Sequence, residues 1–100
     1  MHLKSIQTRG GHTSDDAMYI PLLRAMGMSG DAHKYTVYNK VRDLLFLTDK
    51  DLAPDKSGYP YYYRDLSHVV GRLRRAGLVQ PATGDGYLRI MSAGRILAGY

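Results

Sequence analysis

The chain contains no cysteine, no tryptophan, no glutamate and one phenylalanine, Phe46. Without cysteine there is no disulfide framework and no thiolate chemistry, which fits a reducing, cytoplasmic setting. Without glutamate a helical His-Glu-x-x-His zinc site is impossible, and every carboxylate is an aspartate. No apolar run approaches the roughly 18 residues of a membrane span, and the N-terminus lacks a signal-peptide h-region. No membrane partner is therefore expected. His2, His12, His33 and His68 have no metal-ligand spacing, and no Asp is paired with a downstream acidic-x-Lys: Pro54-Asp55-Lys56 is a nuclease-like fragment without its partner. The expectation is no metal, no cofactor and no enzymatic activity in these residues alone.

What the chain has instead is arginine and tyrosine. Its formal net charge of +5 is unevenly spread: residues 1–13 carry +2, residues 14–56 carry −1 and residues 57–100 carry +4. In the last segment every base is arginine, the side chain suited to bidentate contact with phosphate and guanine. One hundred residues make one domain. Residues 1–13, with Gly10-Gly11 and the basic Lys4 and Arg9, are expected to form a flexible arm. Residues 14–100 are expected to form the folded domain.

Ser14-Asp15-Asp16 has the composition of a helix start, and Met18, Leu22, Leu23 and Met26 supply an apolar stripe. The expected helix runs over 15–26, kinked or restarted at Pro21, and Gly27 and Gly30 end it. Ala32–Tyr35 is a candidate strand. Thr36 is a candidate cap for a second helix over 37–47, with Val37, Val41, Leu44, Leu45 and Thr48 on one face. Thr48-Asp49-Lys50-Asp51 looks like a further short helix start. Ala53–Pro60, with Pro54, Gly58 and Pro60, is a loop.

The stretch from Tyr61 to Gly77 has strong helical periodicity. Leu66, Val69, Val70, Leu73 and Gly77 share one face, and Tyr62 joins them. Tyr61, Arg64, His68, Gly71, Arg72 and Arg75 share the opposite face. Gly77 stands where a terminating glycine belongs, with Arg74 and Arg75 in the last turn. Leu78–Gln80 and Tyr87–Met91 then flank Pro81-Ala82-Thr83-Gly84-Asp85-Gly86, a turn signal. In the second strand Leu88 and Ile90 alternate inward, and Tyr87, Arg89 and Met91 outward. Ser92 is the expected cap of a last helix over 93–100. The fold class is α+β, mainly α. It reads as a winged helix-turn-helix: a three-helix core, a β-hairpin wing and a short last helix.

Pro21-Leu22-Leu23-Arg24, Arg72-Leu73-Arg74-Arg75-Ala76-Gly77-Leu78-Val79 and Tyr87-Leu88-Arg89-Ile90-Met91-Ser92 followed by Gly94 carry a resemblance. Together they resemble the N-terminal winged-helix domain of Mrr-type restriction endonucleases, over residues 18–98. Ser92 stands where that family usually has threonine. The resemblance implies a DNA-targeting module fused to a nuclease domain that attacks modified DNA.

The candidate DNA-binding residues are Arg64, His68, Arg72 and Arg75 on the helix and Arg89 on the wing. They would meet phosphates and base edges of double-stranded DNA. Tyr59, Tyr61 and Tyr63, at the start of that helix, are the candidate contacts to a methyl group in the major groove. N6-methyladenine is placed first and 5-methylcytosine second. No heptad or long apolar helix offers a dimer seam, so the module is expected to be a monomer. Two other readings stand beside this one: a small free-standing transcription regulator, and a winged helix used for protein–protein contact.

Overall fold

The computed structural model describes residues 8, 9, 11–82 and 86–99. The side chains of Lys4 and Arg9, and the hairpin-tip residues Thr83, Gly84 and Asp85, lie outside the described residues. The architecture is α+β and mainly helical. β1 (Thr8–Arg9) and β2 (His12–Thr13) form a short antiparallel ribbon. A 3-10 turn (Asp15–Met18) leads into α1 (Tyr19–Ser29). β3 (Ala32–His33), α2 (Lys34–Leu44), α3 (Asp49–Leu52) and α4 (Tyr61–Arg75) follow. β4 (Val79–Pro81), β5 (Tyr87–Ile90) and α5 (Ser92–Ala98) complete the order. The main sheet is antiparallel in the order β3-β5-β4, with Ala32 opposite Leu88 and Val79 opposite Ile90.

The first helix solves its proline by restarting. Pro21 is the third residue of α1, inside the first turn, where the missing N–H would have had no intrahelical acceptor. α1 also runs past Gly27, which does not end it. Gly30, at φ 67°, does, with its N–H on the Met26 carbonyl at 3.0 Å.

The second helix differs most from expectation. It starts at Lys34, not 37, because His33 caps it: the Nδ1 of His33 accepts from the Tyr35 N–H at 3.2 Å. Thr36 therefore sits exposed within the helix. Its buried face is Val37, Tyr38 and Val41, while Leu44 is exposed. Leu45 and Leu47 are buried just beyond the helix end.

The connection between α2 and α4 is pinned at several points. α3 carries a reciprocal capping box: Asp51 N–H donates to Thr48 Oγ1 at 3.1 Å, and Thr48 N–H donates to Asp51 Oδ2 at 2.9 Å. The same carboxylate, fully buried, accepts from Thr13 N–H at 2.9 Å and from Thr13 Oγ1 at 2.5 Å. Thr13 is itself buried, so the chain joins the fold ahead of residue 14. Pro54 and Pro60 are bridged, and Tyr61 N–H donates to the Ala53 carbonyl at 2.8 Å.

α4 meets expectation closely. Tyr62, Leu66, Val69, Val70 and Leu73 are buried in the common core with Leu22, Leu23, Met26, Val37 and Val41. Its end is a Schellman motif: Gly77 N–H to Arg74 O at 3.1 Å and Leu78 N–H to Leu73 O at 2.9 Å, with Gly77 at φ 76°. Gly77 is exposed, so it terminates the apolar face and is not part of it. In β5, Leu88 and Ile90 are buried and Tyr87 and Arg89 exposed, as the alternation requires.

Ser92 is the first residue of α5, not its cap; Met91 holds the cap position and Gly99 ends the helix. Gly94 is fixed by packing. A Cβ there would lie 2.5 Å from the Leu78 carbonyl oxygen and 2.9 Å from Ile90 Cγ1. Among the described residues no helix is long and apolar enough to cross a membrane.

Candidate nucleic-acid interface

The solvent face of α4 is a continuous basic strip. Arg64, His68, Arg72, Arg74 and Arg75 are all exposed. They differ in what already holds them. Arg72 donates to the Tyr19 hydroxyl at 3.3 Å and lies 3.6 Å from Asp15; the Tyr19 contact first, then Asp15, hold its guanidinium above the usual arginine pKa. His68, Arg74 and Arg75 make no ion pair among the described residues. Arg64 does not either; its guanidinium lies 5.8 Å from the centre of the Tyr61 ring. Gly71, in the middle of the strip, has room: a Cβ would meet only Arg75 Nη1, at an ordinary 3.6 Å. Nothing among the described residues requires glycine there.

The strip is not free of acid along its length. On the side of the 3-10 turn, Asp15, Asp16 and Asp65 line a concavity of about 380 Å³ with His12, Tyr61 and Arg72. Burial, then the Asp15 carboxylate, push the Asp65 pKa up. Asp65 and Arg72 flank this border, and the opposite flank of α4, through Ser67 and Arg74, has no carboxylate on the helix itself.

Arg89 is placed on the outer face of β5, as its alternation demanded, but it is engaged. It grips Asp31 in a bidentate pair, Nε to Oδ1 at 3.1 Å and Nη2 to Oδ2 at 2.7 Å. The guanidinium holds the Asp31 carboxyl below its ordinary pKa. Its Nη1 donors remain for a phosphate, which would then share the guanidinium with the Asp31 carboxylate.

The tyrosines divide into two groups. Tyr61 stacks on His12, with ring centres 4.3 Å apart and planes at 23°. It belongs to the acid-lined concavity. Tyr59 and Tyr63 lie instead on the α2 side of α4, where Tyr35 joins them. Tyr35 stacks on Tyr63 at 5.1 Å and 15° and on Tyr59 at 5.1 Å and 26°. The Tyr63 hydroxyl hydrogen-bonds Asn39 Oδ1.

Lys34, Tyr35, Ser67 and Arg74 were not among the candidate contacts read from the sequence. Placing the start of α2 at residue 34 would have exposed the Lys34-Tyr35 pair as its first turn. Among the described residues no group of three or more His, Cys, Asp or Glu could hold a metal ion. No protein-family model, curated protein or solved structure matches the chain.

Proposed function

We propose that this chain is a winged helix that binds double-stranded DNA through the exposed face of α4. In this reading it is the specificity module of a restriction endonuclease that senses methylated DNA. The element order supports it: α1, a strand, α2, then α4 and a hairpin whose second strand pairs back to β3. α4 is the reading helix and the β4–β5 hairpin the wing. The observation that carries the proposal is the α4 face itself, where Arg64, Arg74 and Arg75 stand exposed with no ion pair among the described residues, and His68 stands exposed beside them, near Asp65. Arg72 and Arg89 are already paired with Asp15 and Asp31, which offset part of their charge. Cleavage belongs to a fused nuclease domain.

Methyl sensing, N6-methyladenine ahead of 5-methylcytosine, rests on the resemblance and on the tyrosines at the start of α4. Burying one methyl is worth about 0.8 kcal/mol, or about fourfold in affinity. Larger selectivity needs two methyls or a penalty for their absence.

The test is a duplex-binding titration over a salt series, with unmethylated and methylated versions of one sequence. The Arg64→Ala/Arg75→Ala double variant should bind more weakly, with a salt slope shallower by about 0.9 for each phosphate it no longer neutralises. A folded double variant with unchanged affinity and slope refutes the groove model. Equal affinity for methylated and unmethylated duplexes at matched salt removes the methyl reading and leaves plain duplex binding. Affinity indifferent to salt favours a protein partner.

A further inference from the structure

The groove between α2 and α4 has features that touching one methyl group does not call for. It is lined by Tyr35, Tyr38, Tyr59 and Tyr63, with Lys34 and Arg64 at its edges, and measures about 250 Å³. That is smaller than the roughly 300–1,000 Å³ of sites for drug-sized ligands, so its occupant is a single ring system. Three of the rings, Tyr35, Tyr59 and Tyr63, lie within 15–27° of parallel. Tyr59 is 46% exposed, the most open of the three.

The platform is held before any ligand arrives. Asp55 Oδ1 accepts from Ser57 N–H at 2.8 Å and from Tyr59 N–H at 3.2 Å, and Asp55 N–H donates to the Tyr59 carbonyl at 2.7 Å. Tyr63 is fixed through Asn39. Little ordering cost therefore remains for a ligand to meet. Asp55 is the sole carboxylate of the lining, and its Oδ1 is turned onto its own loop. Lys34, its Nζ 5.2 Å from the Tyr35 ring centre, and Arg64 carry no ion pair among the described residues. A flat aromatic surface with cations beside it suits a flat π ring that brings an anion.

We propose that this groove is a stacking site for an unpaired nucleobase and its adjoining phosphate. The inference rests on the reading that α4 faces nucleic acid, and it names what the tyrosines take. A base inside a duplex offers only its edge in the groove, and only an unstacked base can lay its face on an aromatic side chain. The ring of Tyr59 receives the base, while Lys34 and Arg64 receive the phosphate. Two sources share this chemistry: a base turned out of a strand and a free nucleotide.

The experiment compares a DNA hairpin fully paired in its stem and closed by a non-nucleotide linker, the same hairpin with one unpaired adenine in the stem, and deoxyadenosine monophosphate as competitor. The proteins are the wild type, Tyr59→Ala and Tyr59→Phe, each checked for folding by circular dichroism. The unpaired adenine should tighten binding by about 5- to 150-fold, the range for one stacked base. Tyr59→Ala should collapse that ratio and Tyr59→Phe should keep it. If the hairpins bind alike and the monophosphate binds in a Tyr59-dependent way, the groove stands and its source is the free nucleotide. Equal hairpin affinities with no Tyr59-dependent monophosphate binding overturn the proposal, as does a ratio that survives Tyr59→Ala. In that event an arginine-dependent salt slope on the paired hairpin keeps the winged-helix reading alive. Monophosphate binding without any DNA binding keeps the groove and removes the DNA reading.

Discussion

Asp51→Ala should be one of the most damaging single changes away from the apolar core. The Asp51 carboxylate is fully buried and accepts from three donors: Thr13 N–H at 2.9 Å, Thr13 Oγ1 at 2.5 Å and Thr48 N–H at 2.9 Å. Alanine leaves the Thr13 amide without its acceptor inside the protein and removes the half of the α3 capping box that the carboxylate supplies, while the backbone N–H of residue 51 keeps Thr48 Oγ1. A hydrogen bond to a charged group is worth about 1.5–3 kcal/mol. These terms do not add, because one carboxylate serves all three donors and its removal also recovers a desolvation cost. The expected net loss is about 3–5 kcal/mol, against a total stability of about 5–15 kcal/mol for a domain. Asp51→Asn should lose nearly as much, since its amide turns a donor toward donors. Urea denaturation followed by circular dichroism gives the magnitude. Hydrogen exchange gives the location: the Thr13 amide should lose its protection at conditions where α4 amides keep theirs. A loss below about 1 kcal/mol with Thr13 still protected refutes the idea that this carboxylate ties the N-terminal ribbon to the fold.

Two other outcomes follow from the packing and charge of α4. Leu73→Ala should cost about 2–5 kcal/mol in the same urea assay, as truncation of a buried leucine does; unaltered melting would mean the helix is turned the wrong way round. Asp65 has a folded pKa raised by burial and by Asp15, so the folded state binds its proton more readily than the unfolded chain does. Stability therefore falls as pH rises through that interval, and the penalty persists at neutral pH. Asp65→Asn should melt above the wild type at neutral pH and converge with it below the ordinary carboxylate range; identical melting at both extremes contradicts this.

Features set by neighbours in sequence were legible. The apolar face of α4, the Gly77 stop, the Thr48–Asp51 start and the in-out alternation of β5 all depend on residues a few positions apart. The early start of α2 was not legible, because its cap is a histidine, a residue type rarely read as one, and with that start went Tyr35. Long-range pairings were invisible for a different reason. Arg89 meets Asp31 across 58 positions and Thr13 meets Asp51 across 38. No periodicity in the sequence encodes such a partner. The acid border of α4 arises the same way, from the 3-10 turn folding back beside it. Nor does composition separate Tyr61 from Tyr59 and Tyr63; the bridged loop ahead of α4 does.

The exposed face of α4 is short. From Arg64 to Arg75 the helix advances about 16 Å at 1.5 Å per residue. Laid along a major groove, that length spans about five base pairs at 3.4 Å each. A word of five letters recurs constantly in any genome, and what governs targeting is site frequency as much as affinity. A single copy of such a reader is therefore underdetermined by base order alone, and its address must be completed by something other than letters, such as a chemical mark on one of them or a second reader set at a fixed distance.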